Sequence, residues 1–542
     1  MIMYPKEIIR RYEAKGWWGK KSLNDYLEEN ALEYRDKEAF VDSFGSRVTW
    51  GEVLKNVDRL ALAFLELGVK KDDFVILQIP NCVEFVYVHY ALSKIGAITV
   101  PVVNLFRTNE LDYILGLSEA TTAVIPWNYG GFSYGKMMLD LQKKNKQLKN
   151  IVVYGDAVPD GMISLKELLT TPFEEKYPPN YLAQFKPDPN EVISMCMTSG
   201  TEAQPKGTPR THNNWISMLY SAAIKNWKRD KSEYIVYCGA LPLANLFGLG
   251  MGLYGTTIMG QKTIFCDRFD PERVLQTIED EKVTHLIAVP AMHIAILEFL
   301  DFAKYNLSSL IHVVTGGAPN PVSLIKDLQE KLGVVVANGY GSNEGAFLST
   351  NWDDNDDPEI IAETVGKVSP RYEVKIVGED RWALPPMQVG ELAFWGPSIF
   401  AGYYKRPDLN AKVFDEDGFF YSGDLGIIGY DGYIRIVDRK KDIIIRGGQN
   451  ISPQEVEFLL QMHPKVLYAA IVGMPDERLG EKACAFIQPK PGETITFGEM
   501  INFLKDKKIA TYKLPERLEI VTEMPRTPTG KVAKNILRNL VS

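Results

Sequence analysis

The chain of 542 residues lacks several features that mark specialised classes of protein. Its 5 cysteines are scattered, with neither the spacing of a zinc site nor the density of a secreted disulfide scaffold. No uncharged apolar run reaches the length of a membrane span, and residues 1–21 have no long apolar core of the kind that a signal peptide needs. These absences predict a cytoplasmic protein with buried, reduced thiols, while peripheral membrane association stays open.

An excess of positive charge is also missing, because the formal net charge at pH 7 is -8. This balance argues against a general nucleic-acid-binding protein, which would usually be basic. Internal repeats and low-complexity tracts are absent from the sequence as well. The remaining composition, with 45% hydrophobic and 24% charged residues, is typical of a soluble globular protein, and the length predicts two or more domains.

Apolar strand-like runs alternate with helical patterns over much of the chain. Residues 74–79 indicate a strand, residues 83–94 a helix, and residues 98–102 the next strand. The same alternation returns over residues 271–337, from a helix within 271–281 to a strand at 334–337. Such alternation predicts an α/β fold in which helices cover parallel sheets. Ligands of such sheets bind in the loops beyond the strand C-termini, where residues 315–319 and 338–341 would lie.

The pattern changes after about residue 365. Short strands and turns rich in glycine, proline and aromatic residues continue to residue 437. A charged run follows, Asp-Arg-Lys-Lys-Asp at residues 438–442, which is either a solvated loop or a hinge. The remaining residues show a compact α+β pattern with the size of an independent domain.

Residues 197–207, Met-Thr-Ser-Gly-Thr-Glu-Ala-Gln-Pro-Lys-Gly, form the most informative motif. Glycines allow the backbone to approach a ligand closely, and successive N–H groups, hydroxyls and a lysine can bind a phosphate chain. The alternative is an ordinary surface turn. A Walker P-loop is not expected, because Lys206 lies between Pro205 and Gly207, and the Gly-Lys pair at residues 530–531 is followed by Val532.

Four further motifs follow the phosphate-loop motif in order: Tyr-Gly-Ser-Asn-Glu at residues 340–344, Tyr-Ser-Gly-Asp at 421–424, the charged run at 438–442, and Pro-Thr-Gly-Lys at 528–531. Together the five motifs resemble the adenylate-forming superfamily, which includes acyl- and aryl-CoA synthetases. Residues 11–18, 209–212 and 510–515 look most like those of 2,3-dihydroxybenzoate–AMP ligases.

The resemblance implies a domain organisation. It predicts a large N-terminal AMP-binding domain over residues 1–438, with parallel-type α/β sheets and a small β-barrel-like subdomain. A hinge at residues 439–442, centred on Lys441, would join it to a small, mobile α+β C-terminal domain over residues 443–542 that carries the catalytic lysine. Rotation of that domain would exchange Lys531 for a loop formed by Gly447, Gly448 and Gln449, which would contact the thiol substrate.

The resemblance also implies two half-reactions. A carboxylate attacks the α-phosphorus of ATP, releasing pyrophosphate and forming an acyl-adenylate, and a thiol then attacks the activated carbonyl. ATP and Mg²⁺ are the expected cofactors. CoA is the favoured thiol, because the chain shows no carrier domain; the alternative is a stand-alone aryl-acid–AMP ligase that loads a carrier protein bearing phosphopantetheine. A luciferase-like oxygenase and a non-enzymatic nucleotide-binding protein are further alternatives, and a homodimer is left open.

The resemblance assigns roles to individual residues. Lys531 would bridge the attacking carboxylate and the α-phosphate, Glu344 would bind Mg²⁺, and Thr201 and Lys206 would act on the phosphates. The residues expected to bind the rest of ATP or AMP are Thr198, Ser199, Gly200, Gly317, Ala318, Pro319, Asn338, Gly339, Tyr340, Gly341, Asn343, Asp424 and Arg439. The residues expected to line the acid pocket are Asn245, Phe247, Gly316, Gly317 and Ser342.

Each role has a structural alternative. Glu344 could stand in the first turn of a helix, Tyr340 could pack in a core, and Asp424 could belong to a glycine turn. Lys531 could be an exposed tail lysine and the Gly447-Gly448 pair a simple turn.

The sequence also departs from the superfamily at three places. Glu-Ala-Gln at residues 202–204 replaces the second glycine of the phosphate loop, and Asn343 stands where threonine is usual. Asn245 is displaced by one position from the asparagine that contacts the aryl hydroxyl in dihydroxybenzoate ligases, so recognition of a catechol does not carry over directly.

Overall fold

The structure is a computed structural model that describes residues 1–198, 205–222, 236–239, 241–351, 356–527 and 531–541. Two large, mainly parallel sheets carry the first two-thirds of the chain, as the alternation of strands and helices predicts. All 5 cysteines lie in the described residues, buried and free of disulfide bonds. None of the helices in these ranges has the length and apolar character needed to cross a bilayer.

The larger sheet has nine strands, numbered here, like all strands, in chain order. Its spatial order is β18 (Lys367–Val368), β17 (Ala346–Thr350), β16 (Val335–Ser342), β15 (His312–Gly316), β14 (His285–Ile287), β12 (Val236–Gly239), β13 (Lys262–Phe265), β1 (Glu38–Asp42) and β2 (Arg47–Thr49). The strands from β16 to β1 run parallel, whereas β17, β18 and β2 join the edges antiparallel.

The second sheet has seven strands. Its order is β11 (Gly207–Thr211), β10 (Val192–Met197), β4 (Ile98–Pro101), β3 (Phe74–Leu77), β5 (Thr122–Pro126), β8 (Asn150–Tyr154) and β9 (Ile163–Ser164). All neighbours are parallel except β10 and β11, which form an antiparallel pair around the phosphate-loop motif. A short hairpin, β6 (Asn128–Tyr129) with β7 (Phe132–Ser133), stands apart.

Two smaller antiparallel or mixed sheets complete the strands. The predicted β-barrel-like subdomain corresponds to a four-stranded antiparallel sheet of β19 (Glu373–Val377), β20 (Gly390–Trp395), β21 (Phe420–Ile428) and β22 (Ile434–Arg439). The part of the chain after residue 442, here called the C-terminal unit, contains β23 (Ile444–Arg446), β24 (Gln449–Ile451), β25 (Val466–Asp476), β26 (Gly480–Pro489) and β27 (Arg517–Ile520) in one sheet.

Helices cover the sheets. The α-helices span Lys6–Ala14, Leu23–Glu33, Trp50–Glu66, Val83–Lys94, Thr108–Ser118, Tyr134–Lys144, Leu165–Thr170, His212–Ala222, Thr256–Met259, Pro271–Glu281, Pro290–Leu297, Val322–Leu332, Pro358–Glu363, Pro407–Val413, Pro453–Gln461, Phe497–Asp506 and Lys534–Asn539. Short 3₁₀ segments cover Phe173–Lys176, Tyr181–Phe185, Phe302–Lys304 and Thr511–Lys513, and a π-helix covers Gly248–Gly255. The helices predicted over residues 83–94 and within 271–281 are confirmed.

The main core lies between the two large sheets. The helix Val83–Lys94 buries side chains on every face, as expected of a helix that lies between two apolar layers. Its cluster contains Val75 and Leu77 from the seven-stranded sheet as well as Phe40 and Phe265 from the nine-stranded sheet. The two sheets therefore share one core, which fixes the position of the strand ends that carry the predicted ligand loops.

A buried carboxylate at the end of β22 joins the four-stranded sheet to the C-terminal unit. Asp438 Oδ2 accepts hydrogen bonds of 2.8 Å from the Ser452 hydroxyl and from the Gln454 backbone N–H. Ser452 is the N-cap of the helix Pro453–Gln461, so the carboxylate lies at the positive end of that helix, where an anion is stabilised. A second link is the 2.6 Å ion pair between Arg538 and Asp442.

We predict that Asp438→Ala loosens the C-terminal unit. The change leaves the Gln454 N–H without its acceptor, and a buried polar group left unpaired costs about 1–3 kcal/mol, whereas the Ser452 hydroxyl keeps the Val437 carbonyl as its acceptor. A lower melting temperature and faster tryptic cleavage after Arg439, Lys440 and Lys441 are expected. Asp431→Ala is the control, because Asp431 is exposed and only caps a turn through the Tyr433 N–H. Equal cleavage rates in the two variants would contradict the prediction.

Candidate active site

The carboxyl end of β15 lies beside the second half of β16, where the two strands border a cleft. Their register pairs Thr315 with Asn338 and Gly316 with Gly339. A Cβ on Gly316 would come within 2.5 Å of the Gly339 carbonyl oxygen, so only glycine permits this approach. The three residues after Gly316 are exposed, and Gly317 turns the chain with a φ of +80°. The loops predicted to bind the nucleotide, residues 317–319 and 338–341, are therefore neighbours at one edge of the sheet.

A buried carboxylate faces this edge from the four-stranded sheet. Asp424 on β21 is 3% exposed, and its Oδ1 forms a 2.7 Å ion pair with Arg439 Nε on the paired strand β22. Its Oδ2 accepts a hydrogen bond from the Tyr340 hydroxyl of β16. Burial raises the pKa of Asp424 above its ordinary value, although Arg439 and Tyr340 both act to lower it. Arg439 stays half-exposed, and Asp424 in turn raises its pKa.

Tyr340 thus has a role that the sequence did not indicate. Its ring packs beside Phe394 of the four-stranded sheet, with centroids 5.9 Å apart, while its hydroxyl holds Asp424. Binding of the nucleotide and packing in a core were the two alternatives for this side chain. The contacts show packing on one side of the ring, and they add the positioning of the carboxylate.

The side chain of Tyr403 contacts both Glu344 and Lys206. The Tyr403 hydroxyl donates a 2.8 Å hydrogen bond to Glu344 Oε1, and the Lys206 ammonium lies 5.3 Å from the centroid of the same ring. The Glu344 carbonyl accepts a 2.8 Å hydrogen bond from the Phe400 N–H, which holds the turn that carries the carboxylate. The proposed phosphate-binding lysine and the proposed metal-binding carboxylate therefore belong to one site.

Glu344 fits a magnesium ion that arrives with a nucleotide. The described residues contain no group of three or more His, Cys, Asp or Glu side chains that could hold a metal ion by themselves. Mg²⁺ is usually bound by one or two carboxylates together with substrate phosphates and waters. One carboxylate, oriented by Tyr403 and half-buried in the cleft, matches that mode of binding.

The two ends of the phosphate loop are held together at its base. The Thr198 N–H donates to the Lys206 carbonyl at 2.9 Å, and the Lys206 N–H donates to the Thr198 hydroxyl oxygen at 3.0 Å. Thr198 thus closes the loop. The other predicted loop residues, Ser199, Gly200 and Thr201, lie outside the described residues, as do the unusual residues 202–204.

Lys531 of the C-terminal unit lies close enough to this site for the charges of its residues to act on the ammonium. Its side chain keeps contact with solvent, yet the surrounding protein removes enough hydration to lower the pKa of Lys531. The positive charge of Arg439 lowers this pKa further, whereas Asp424 and Glu344 raise it. A backbone pair with Thr527 fixes the lysine, through a 2.6 Å hydrogen bond from the Thr527 N–H to the Lys531 carbonyl. The preceding residues 528–530 lie outside the described residues.

Two asparagines at the site direct their amide N–H groups to the main chain. The Asn338 amide donates 2.9 Å hydrogen bonds to the carbonyls of Ile361 and Thr364, so its oxygen is the atom that could accept an exocyclic amine. The Asn343 amide donates a 3.2 Å hydrogen bond to the Met197 carbonyl at the end of β10. Asn343 therefore ties its turn to the base of the phosphate loop, a contact that the sequence did not suggest.

The residues predicted for the acid pocket lie in two places. Gly316 and Ser342 end β15 and β16, and Gly317 follows Gly316 in the loop; the Ser342 hydroxyl accepts a 3.1 Å hydrogen bond from the Gly345 N–H. Phe247 lies deeper, against Phe347, with ring centroids 5.5 Å apart. It borders a small cavity whose walls are formed by Tyr237, Gly239, Leu241, Leu243, Phe247, Gly248, Gly252, Phe265 and Ile287. Asn245 is half-buried and does not line this cavity.

The residues predicted for the hinge and for the thiol lie on the outside. Lys441 is exposed, in the turn that follows Arg439. Gly447 and Gly448 form the two-residue turn between β23 and β24, with φ of +56° and +83°, as in a hairpin turn that needs two left-handed residues. Gln449 begins β24 and is exposed. The structure thus shows a surface hairpin, and it does not bring these residues into the cleft with Asp424.

The chain matches known proteins over nearly its whole length. Residues 27–404 match the family described as AMP-binding enzyme, and residues 455–531 match the family described as AMP-binding enzyme C-terminal domain. The medium-chain fatty-acid–CoA ligase of Escherichia coli (strain K12) is 32% identical over 532 residues, which cover 97% of this chain and 92% of that protein. The 2,3-dihydroxybenzoate-AMP ligase of Bacillus subtilis (strain 168) is 33% identical over 541 residues, with coverages of 99% and 97%.

A solved structure agrees with these sequence matches. The crystal structure of ATP-bound MatB from Rhodopseudomonas palustris has a TM-score of 0.84 and 26% identity to this chain, and covers 96% of this chain and 99% of its own. The likeness therefore extends through the four-stranded sheet and the C-terminal unit, which both contribute charged groups to the cleft.

We predict that Asp424→Asn weakens nucleotide binding without lowering the stability of the fold. Because the folded-state pKa of Asp424 is raised, its contribution to stability falls as pH rises through the interval between the ordinary and the raised pKa. The neutral amide removes this loss, so the melting temperature at pH 7 should be unchanged or higher. The affinity of the protein for MgATP should fall about 10- to 100-fold if a nucleotide hydroxyl donates to this carboxylate. That range corresponds to the loss of a hydrogen bond to a charged group.

Calorimetric titration with MgATP and thermal unfolding at pH 5 and pH 7 measure both effects. Asp431→Asn, an exposed turn residue, is the matched control. An Asp424→Asn protein that binds MgATP as tightly as the wild type would show that this carboxylate does not contact the nucleotide.

Proposed function

Because the chain belongs to the AMP-binding enzyme family, we propose that it is an ATP- and Mg²⁺-dependent ligase that joins a carboxylic acid to the thiol of CoA through an acyl-adenylate. Adenylate formation is the reaction that its acyl-CoA and aryl-acid relatives share. The observation that carries the proposal for this chain is that Tyr403 brings Glu344 and Lys206 to one ring, while the charges of Asp424, Glu344 and Arg439 act on Lys531. One site thus combines two lysines with the groups suited to bind ribose, metal and phosphate.

The first half-reaction must bring a carboxylate to a triphosphate, and both are anions. Positioning and the neutralisation of charge are therefore the main tasks of the protein. Lys206 and Lys531 would supply positive charge from two parts of the chain, one from the base of the phosphate loop and one from the C-terminal unit. When bound, Mg²⁺ would neutralise further phosphate charge, with Glu344 as its protein ligand.

The nucleoside end of ATP has its own groups. Asp424 would accept hydrogen bonds from the ribose hydroxyls, because its carboxylate is held in place by Tyr340 and Arg439. The exposed residues Gly317, Ala318 and Pro319 and the backbone of residues 339–341 would border the base. The Asn338 oxygen would accept the exocyclic amine of adenine, since both amide hydrogens are already used.

The second half-reaction would use a different position of the C-terminal unit. We propose an N-terminal domain of residues 1–438, a hinge of residues 439–442 with Lys441 at its centre, and a C-terminal domain of residues 443–542. The two matched family regions lie within these domains. Rotation about the hinge would break the contact of Asp438 with the helix Pro453–Gln461, remove Lys531 and bring the Gly447–Gln449 hairpin tip towards the thiol.

The acid is proposed to be apolar. Among the residues that line the small cavity beside Phe247, the Tyr237 hydroxyl is the one polar side-chain group, so an acyl or aryl group that extended past Phe247 would meet mainly apolar walls. This composition favours the CoA ligase over the alternative, a 2,3-dihydroxybenzoate-type AMP ligase that loads a carrier protein. The five buried free thiols are compatible with a reducing compartment, and a cytoplasmic location stays a prediction.

ATP–pyrophosphate exchange with a panel of acids tests the proposed function. We predict exchange with octanoate and benzoate that exceeds exchange with 2,3-dihydroxybenzoate by about 10- to 100-fold, the discrimination expected from an apolar pocket. Addition of CoA should then give a thioester, measured by mass spectrometry, whereas an aryl carrier protein with phosphopantetheine should give little product. The reverse preference would favour the alternative ligase, and no exchange with any acid would contradict both.

We predict that Lys531→Ala lowers acyl-adenylate formation by roughly 10²–10³-fold, the scale for the loss of one charge-stabilising donor at a reacting centre. Thioester formation from supplied acyl-adenylate and CoA should stay near the wild-type rate, because Lys531 would have left the cleft in that step. Single-turnover assays of each half-reaction measure the two rates. Lys505→Ala, which removes an exposed lysine of the same unit, is the control. Equal losses in both half-reactions would contradict the exchange of Lys531 for the hairpin.

A further inference from the structure

Arg210 is a buried cation for which the reaction described above has no use. It lies on β11, four residues after Lys206, and its side chain is fully buried. Burial lowers the pKa of Arg210, as expected when a guanidinium loses its hydration. A charge of this kind is costly to bury, and in most proteins a carboxylate compensates it. In the described part of the chain, all hydrogen bonds of this guanidinium go instead to main-chain carbonyls.

These hydrogen bonds join two distant segments. Nε and Nη2 both donate to the Asn343 carbonyl, at 3.1 and 2.6 Å, and Nη1 donates to the Ser398 carbonyl at 2.7 Å. Hydrogen bonds from a charged donor are about twice as strong as neutral ones, and the planar guanidinium fixes the angle between its partners. Arg210 therefore sets the distance between the turn at residue 343 and the segment at residue 398.

The turn held in this way carries Glu344. Ser398 supports it from the other side, because its hydroxyl donates a 2.7 Å hydrogen bond to the Gly345 carbonyl. The Phe400 N–H donates to the Glu344 carbonyl, two residues further along the same segment. Every residue from Asn343 to Gly345 thus has its carbonyl fixed by a hydrogen bond. Little freedom remains for the backbone that orients the Glu344 carboxylate.

The same turn is also linked to the phosphate loop. Arg210 pairs with Ser194 across the β10–β11 ladder, and β10 ends at Met197, immediately before the loop. The Met197 carbonyl accepts the Asn343 amide. Asn343 is therefore held by its carbonyl through Arg210 and by its side chain through Met197, and both contacts come from the two strands that flank the loop.

We propose that Arg210 is a positioning residue that holds the Glu344 turn at a fixed distance from the phosphate loop, so that Glu344 and Lys206 act on one bound MgATP. This inference rests on the proposed function, since it assigns Glu344 to the metal and Lys206 to the phosphates. Arg210 itself would touch neither, because its donors are directed at the main chain. Arg210 would affect nucleotide binding by fixing the position of Glu344.

Arg210→Lys tests the proposal with the charge retained. A lysine ammonium cannot span the Asn343 and Ser398 carbonyls with the planar geometry of arginine. We expect MgATP affinity, measured by calorimetry, to fall about 10-fold, and the adenylation rate to fall by up to about 100-fold, the scale for a displacement of about 1 Å in a catalytic group. Thioester formation from supplied acyl-adenylate should change less than twofold. Similar losses in both half-reactions, or unchanged MgATP affinity, would overturn the proposal.

A double-mutant cycle with Glu344→Gln separates positioning from a general loss of stability. If Arg210 acts through Glu344, the double variant Arg210→Lys/Glu344→Gln should bind MgATP no more weakly than Glu344→Gln alone. Additive losses would mean that Arg210 acts independently of Glu344, and would overturn the proposal. Arg59→Lys is the matched control: Arg59 is also mostly buried and bonds to a main-chain carbonyl, that of Leu169, but it lies on the helix Trp50–Glu66. It should lower the melting temperature without changing MgATP affinity.

The cycle is measured by binding, so its outcome does not depend on catalysis. A wild-type protein that binds MgATP but exchanges pyrophosphate with no acid would contradict the proposed function. The additive or non-additive result of the cycle would still decide the role of Arg210. The two proposals can therefore fail separately.

Discussion

The site depends on the contact of one buried carboxylate, Asp424, with Tyr340 and Arg439. Tyr340 belongs to the nine-stranded parallel sheet, whereas Asp424 and Arg439 belong to neighbouring strands of the four-stranded sheet. The two sheets are therefore joined by polar groups at the point where a nucleoside would lie. Burial of Asp424 opposes its ionisation, and Arg439 supplies the compensating charge. Because Arg439 is the last residue of β22, the same contact also fixes the start of the connection to the C-terminal unit.

Two further side chains organise the phosphate end of the cleft in a similar way. Tyr403 brings Glu344 and Lys206 to one ring, and Arg210 fixes the backbone that carries Glu344. All three organising residues, Tyr340, Tyr403 and Arg210, act by holding another residue. The groups suited to contact ligand are thus placed by neighbours whose own positions are determined by burial and hydrogen bonding, as expected where a site needs preorganised charges.

Local patterns in the sequence were sufficient for much of the fold. The helix predicted over residues 83–94 is Val83–Lys94, because its apolar residues and the Gly96 that follows define it locally. The strand predicted at residues 334–337 continues to Ser342, since β17 pairs with its second half from the other side. That extension depends on a partner that comes later in the chain, and no local pattern encodes it. The resemblance to adenylate-forming enzymes, inferred from the five motifs, is confirmed by the family matches.

The site, like the fold, combines residues that local motifs predict with contacts that depend on distant parts of the chain. The motifs located Glu344, Asp424, Arg439 and Lys531, but they gave no sign that Tyr403 would hold Glu344 or that Arg210 would hold Asn343. These contacts join residues that are 59 and 133 positions apart in the chain. For Tyr403, the one local signal was an aromatic pair after Gly402; for Arg210, it was the Pro-Arg-Thr-His segment at residues 209–212. Both became informative only when the tertiary structure placed their partners beside them.

The electrostatic balance of the cleft explains why Lys531 should enter it with nucleotide bound. Without ligand, its charge is opposed by lost hydration and by Arg439, and it is favoured only by Asp424 and Glu344. A bound triphosphate adds negative charge, which raises the pKa of a nearby ammonium and stabilises its charged form. A ligand can shift a conformational equilibrium only by its difference in affinity for the two states. ATP would bind more tightly to the state in which Lys531 is inserted, because the ammonium adds positive charge beside the phosphates. The departure of pyrophosphate would reduce this preference.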